Sequence, residues 1–217
     1  MNSSRSLARQ ALVLVDERAA TSDVAARVVR HQVAYVHVLR TALRGRPLPL
    51  EATRFLEPDA LARVEAATNR QTAILLESDR LLTAAHRDGR IGELSRLELE
   101  RSLVALTDAQ GGLERIKNTP LPVQYRFLPR FFSRLFCLIL PFAVVEDLGW
   151  LTPVGSGLVG LMFLMAVQIG DQLADPFADG VYDVPMTAIS RTVEIDLVQM
   201  LGDEAPGPVT PVEEVLY

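Results

Sequence analysis

Apolar residues recur at helical spacing almost from the first position of the chain. Leu7, Ala11, Leu14 and Val15 share one face of a helix that Ser3 or Ser4 is placed to cap. The stripe continues through Val24, Val28, Val29, Val33, Val36 and Leu39, so helix is predicted from about Ser4 to about Leu43. Thr21-Ser22-Asp23 is a candidate break and second cap. Gly45 and the Pro47/Pro49 pair end the stretch. Pro58 suits the first turn of a helix reaching Thr68. Arg70 to Arg87 carries Ile74, Leu75, Leu81 and Leu82 and stops at the Asp88-Gly89 turn. Leu94, Leu97, Val104 and Leu106 mark a further helix, which Gly111-Gly112 is expected to close. No segment alternates convincingly as a strand, so the fold class is all-α.

Beyond Gly112 the pattern changes. Leu148 to Gly170 is a run of 23 uncharged residues, and a membrane span needs roughly 20. Its Gly155, Ser156, Gly157 and Gly160 suit close helix packing in lipid. The earlier run, Leu135 to Val145, has 11 uncharged residues and reaches a spanning length only through Phe131 and Phe132, with Arg134 snorkelling or facing protein. Pro141 is expected to kink it. Arg126, Arg130 and Arg134 precede the first run, and Glu146, Asp147, Gly149, Trp150 and Pro153 connect the two. The pattern predicts a transmembrane hairpin with its arginine side cytoplasmic and its acidic turn outside. The competing reading makes both runs buried helices of a soluble protein. Asp183, ahead of Pro185, is a candidate cap for a helix carrying Ile189, Val193, Leu197 and Met200. Residues 204–217 are expected to be a disordered tail.

Composition narrows the function classes. The chain has 217 residues, an apolar fraction of 49% and a net charge of −5. That balance suits a helical body carrying a small membrane part. It argues against nucleic acid, since no basic stripe with interleaved aromatics is present. Cys137 is the one cysteine and lies inside an apolar run, so no intrachain disulfide is available. Lys117 is the one lysine among 22 basic residues. The N-terminus lacks the apolar core of a signal peptide. His31 and His37 are six residues apart, a poor match to one helical face, and His86 sits near a turn. None has metal-ligand spacing, so surface or packing roles are favoured. Ser3, Ser4 and Ser133 lack a general base, and the glycines at Gly155 follow no strand. Nothing marks an enzyme.

Several motifs stand together in the second half: ERIKNTPLP (Glu114 to Pro122), LPF (Leu140 to Phe142), LGWLTP (Leu148 to Pro153), DQLADPF (Asp171 to Phe177) and RTVEIDLVQMLGD (Arg191 to Asp203). With SRSLARQ (Ser4 to Gln10) and RHQVAYVHVLR (Arg30 to Arg40), this set resembles the prokaryotic bestrophins. The resemblance implies a helical membrane protein with a cytosolic helical body and a transmembrane hairpin. It implies a pentameric ion channel of the bacterial inner membrane, multi-pass, with most of the chain cytoplasmic. The ions are chloride and other anions, or monovalent cations, and conduction is passive. Its parts would be the cytosolic region 1–112, an aperture segment with hairpin and acidic turn at 113–182, a cytosolic helix at 183–203, and the tail.

By the same resemblance, Leu121 between Pro120 and Pro122 is the apolar constriction. Prolines fix φ and remove donors, and five copies of one apolar side chain around an axis form a poorly wetted ring. Glu114, Arg115 and Lys117 are candidates for an ion-attracting ring, or for an ordinary salt-bridged surface. Calcium-activated members of the family carry a clasp, which would take the backbone carbonyls of Gln172 and Asp175 and the carboxylate of Asp183 as calcium ligands. Gly180 stands where another carboxylate belongs, with Asp179 beside it. No cofactor is expected beyond that doubtful calcium. The family's two preceding membrane helices are not in this sequence, which is expected to be an N-terminally shortened reading of a channel. The alternative function is a membrane-anchored scaffold subunit that assembles without conducting.

Overall fold

The computed structural model describes residues 1–15, 23–119, 122–172, 175–180 and 183–211, with Val123 and Arg126 described by backbone only. All regular elements among them are helical. They fall into two compact units, Met1–Arg115 with Pro185–Tyr217, and Ile116–Val184.

The first unit opens with α1 (Asn2–Leu14) and α2 (Val24–Leu43). Asp23 caps α2, its carboxylate accepting the Ala26 N–H at 3.3 Å, so the expected break between two helices is real. A one-turn helix α3 (Leu50–Thr53) and α4 (Pro58–Ala66) follow. The fifth helix, α5 (Arg70–Arg87), is capped by the Asn69 side chain, which accepts from Thr72 N, and ends at Asp88 with Gly89 at φ +74°. Its predecessor stops at Ala66, two residues short of expectation. The next helix, α6 (Glu93–Asn118), runs straight through Gly111 and Gly112. A glycine costs a helix interior about 1 kcal/mol. Here Leu99, Leu103, Leu106 and Gln110 are buried on one face, and that tertiary anchoring outweighs the propensity of two glycines.

Helix α2 is the centre of this unit. Sixteen of its 20 residues are buried, so it packs on several sides, against α1, α3, α5 and α9 (Met186–Met200). Ala8, Val29, Val33, Val193, Leu197 and Val198 form one apolar cluster where α1, α2 and α9 meet. A helix buried nearly all round must also satisfy its polar residues inside the protein. Gln32 donates to Ser4 Oγ at 2.9 Å. The His31 ring lies 3.0 Å from Glu57, and the His37 ring 3.0 Å from Glu194. Arg40 donates to Glu51 at 2.7 Å. Glu194 is fully buried and also receives Arg191 at 2.7 Å and Arg54. The histidines hold packing positions, as expected of two that lack metal-ligand spacing.

The second unit is a helical hairpin. The first arm, α7 (Val123–Leu148), continues through Pro129 and Pro141. A 3₁₀ turn, Gly149–Leu151, leads into α8 (Thr152–Gln172). Gly149 has φ +51°, a conformation that a side chain makes costly. The arms run antiparallel. Arg130 pairs with Asp171, Phe136 meets Phe163 with ring centroids 4.8 Å apart, and Cys137 packs on Gly160. A Cβ on Gly160 would lie 3.3 Å from Cys137 Sγ, and one on Gly155 2.8 Å from Leu148 Cδ1, so these glycines set the approach of the two arms.

Candidate functional site

The hairpin wears its apolar side chains outward. Trp150 is 85% exposed, Phe142 79% and Val154 69%. The stretch Phe127–Gln172 is long and apolar enough to cross a membrane, and only 6% of its most apolar window is buried. A helix buried in a soluble core would show the reverse. At about 1.5 Å per residue each arm is long enough for a hydrocarbon layer about 30 Å thick. Apart from Arg134, charge is confined to the ends. Arg130 donates through Nε at 2.8 Å and a terminal nitrogen at 2.6 Å to one oxygen of Asp171, which ties the feet of the two arms together.

The segment that feeds the hairpin is described up to Thr119 and again from Pro122. Pro120 and Leu121, the heart of the expected constriction, lie outside the described residues. Pro122 is exposed and stands as the N-cap of α7 in extended conformation, and its carbonyl accepts the Tyr125 N–H at 2.9 Å.

The three ring candidates have different fates. Glu114 accepts from Gln110 at 2.7 Å, Gln71 at 2.9 Å and Asn69 at 3.2 Å. Burial alone pushes its carboxyl up, but the three amide donors outweigh it and hold the group below the ordinary carboxylate value. Arg115 is exposed and has no partner among the described residues. Lys117 donates to Asp175 Oδ2 at 2.8 Å.

That last bond joins residues that the sequence placed in separate roles. Asp175 also accepts the Phe177 N–H through Oδ1 at 3.2 Å. The Lys117 hydrogen bond is the main reason its carboxyl sits below the ordinary aspartate value. Asp183 does not cap α9, whose N-cap is Pro185 with no side-chain cap bond. Its Oδ2 accepts the Gly180 N–H at 2.6 Å instead. A Cβ at Gly180 would stand 3.2 Å from that oxygen. Gln172 is exposed at the end of α8.

Calcium takes six to eight oxygen ligands. Of the oxygens the resemblance assigns, the Asp175 backbone carbonyl accepts the Ala178 N–H at 3.3 Å, and the Asp183 carboxylate accepts the Gly180 N–H. No group of three His, Cys, Asp or Glu side chains among the described residues is placed to hold a metal. Among the described residues the oxygens of this turn are taken up by the protein's own donors and do not assemble a calcium clasp.

The pairings Lys117–Asp175 and Arg130–Asp171 were not readable as contacts from the sequence. The second had a signal, since opposite charges flank the two apolar runs. The first had none.

Comparison with known proteins assigns the chain. The family model for bacterial/fungal bestrophin proteins matches residues 1–199. The voltage-dependent anion channel-forming protein YneE of Salmonella typhi is 33% identical over 217 residues, covering 100% of this chain and 70% of the relative. The protein of that name from Escherichia coli K12 is 34% identical over 208 residues, covering 96% and 67%. A bacterial bestrophin homolog from Klebsiella pneumoniae, solved by crystallography, superposes with a TM-score of 0.86 at 28% identity, over 94% of this chain and 74% of that one. The exposed apolar hairpin is thus the membrane part of a membrane protein, and the chain is a member of the bacterial and fungal bestrophin family.

Proposed function

We propose that the chain is a subunit of a homo-oligomeric channel that passes anions down their electrochemical gradient across the bacterial inner membrane. The observation that carries this reading is the 33–34% identity, along essentially the whole chain, to proteins named voltage-dependent anion channel-forming. Physical support comes from the hairpin. Its apolar exterior suits lipid, and its acidic turn and cationic foot suit an orientation with the foot and the helical body in the cytoplasm.

Conduction of this kind forms no covalent bond. The protein supplies a hole, a field and a constriction. Leu121, framed by Pro120 and Pro122, is the proposed constriction. Copies of it arranged around an axis, in a pentamer by family resemblance, make a narrow apolar ring that ions cross with partial loss of hydration. The Lys117–Asp175 pair fastens the segment just before Pro120 to the turn after α8.

Reconstitution into liposomes tests the reading. Chloride efflux above that of empty vesicles, with a reversal potential nearer the chloride than the potassium equilibrium value, is the expected result. Leu121→Ala should raise the conductance severalfold. Assembled protein that passes no ion would replace the channel with a scaffold. Equal currents in the wild type and Leu121→Ala would move the constriction elsewhere.

A further inference from the structure

Arg134, the basic residue inside the apolar stretch of the hairpin, has no counterpart among the described residues. Between Phe131 and Gly170 the sequence has three charged residues, Arg134, Glu146 and Asp147. The two acids sit at the far end of α7, beside the turn. Arg134 lies one helical turn past Arg130, about 6 Å further along α7 and about 18 Å from Glu146 by the helix rise. The nearby carboxylate, Asp171, already takes two donors from Arg130. Arg134 is exposed, and nothing among the described residues pairs with it.

Its position on the helix is informative. Positions 130, 134 and 137 follow one another at four and three residues, so they share a face. That face meets α8, because Arg130 holds Asp171 and Cys137 Sγ lies 3.9 Å from the Gly160 carbonyl. Gln168, three residues before Asp171 on α8, is also exposed and makes no hydrogen bond to the described residues. Between the closed ion pair and the tight apolar contact, α7 therefore carries an open guanidinium at the exposed edge of the seam, and α8 carries an exposed amide. An unpaired arginine at membrane depth is costly and is retained where an anion or water meets it. The planar guanidinium, with five donors, suits oxyanions and halides.

We infer that Arg134, supported by Gln168, is an anion-binding residue at the cytoplasmic foot of the hairpin. Its ligand is a small inorganic anion on the conduction path or the phosphate of an anionic lipid. The first source rests on the proposed anion conduction, whereas the second does not.

The experiment uses the wild type, Arg134→Gln and Arg134→Lys. In liposomes under a tenfold KCl gradient, Arg134→Gln should lower the chloride-to-potassium permeability ratio severalfold, and Arg134→Lys should keep most of it. In detergent, thermal unfolding is followed with chloride against gluconate, and with phosphatidylglycerol against phosphatidylcholine. The wild type should be stabilised by chloride or by phosphatidylglycerol, and Arg134→Gln should lose that shift. A change in permeability ratio together with chloride stabilisation assigns the inorganic anion. Loss of the phosphatidylglycerol shift alone assigns the headgroup. A wild type that neither chloride nor phosphatidylglycerol stabilises, or an Arg134→Gln protein identical to it in both assays, overturns the inference. A wild type that carries no current overturns the channel reading, and the unfolding assay still decides Arg134.

Discussion

The helical body and the hairpin solve opposite problems with the same residue types. In the body, α2 buries His31, Gln32, His37 and Arg40 beside its valines, and each of these finds a partner inside the protein. In the hairpin, phenylalanines and leucines face outward, and Thr152 and Gly160 are the buried residues of α8. Water is the solvent of the first and hydrocarbon of the second. Exposure of an apolar side chain is therefore a cost in one unit and the ordinary state in the other. Charge is accordingly tolerated deep in the body when paired, while in the hairpin it gathers near the ends, with Arg134 as the exception.

Substitutions that exchange the two rules should do the most damage. Glu194→Ala removes the carboxylate that meets His37, Arg54 and Arg191 in a fully buried position, and it should cost about 3–5 kcal/mol. Thermal unfolding of the body reads it, and a melting point within a degree or two of wild type would mean that the buried carboxylate does not hold the body together. Leu158→Arg places a charge in the middle of α8 and should make insertion less favourable by about 3 kcal/mol. Membrane fractionation reads that, and unchanged membrane content would argue that α8 does not span. Gly160→Leu pushes a side chain at Cys137 and should cost about 1–3 kcal/mol by overpacking. Cross-linking between cysteines substituted at Phe136 and Phe163 should weaken as the arms part.

The smallest effect concerns acid. Burial raises the Glu57 carboxyl, but hydrogen bonds from Arg27 and His31 dominate and bring it down to about 2. A carboxyl depressed in the folded state stabilises above its unfolded value, near 4.5, and that contribution fades as pH falls from there toward 2. Burial holds the His31 ring below its ordinary value, so it adds acid sensitivity of the same sign. Melting points between pH 5 and 2.5 should therefore drop more steeply in the wild type than in Glu57→Gln. Parallel curves would remove Glu57 from the account.

Much of this was visible in the amino-acid order, for reasons that can be named. The end of α5 was legible because Arg87 precedes the Asp88-Gly89 turn, whereas the Asn69 cap at its start came from the structure. The hairpin was legible because 23 uncharged residues in a row admit few alternatives. Gly111-Gly112 misled, since local propensity carries no record of the buried Leu106 and Gln110 beside them. The spacing of His31 and His37 was correctly judged unfit for one face, and the structure shows why. Each ring reaches a different carboxylate, Glu57 and Glu194, from different sides of α2. Lys117–Asp175 spans 58 positions and leaves no local pattern to read. The site residues were thus named by resemblance, while their partners required coordinates.

The Lys117 bond has a practical consequence. Because the chain has a single lysine, an amine-reactive dye would mark one side chain besides the N-terminus, three residues ahead of Pro120. An ammonium held by Asp175 acylates slowly and a released one quickly. The rate of labelling would then act as a built-in chemical clock, timing how often the segment leading to the proposed constriction comes loose from the turn behind the membrane hairpin.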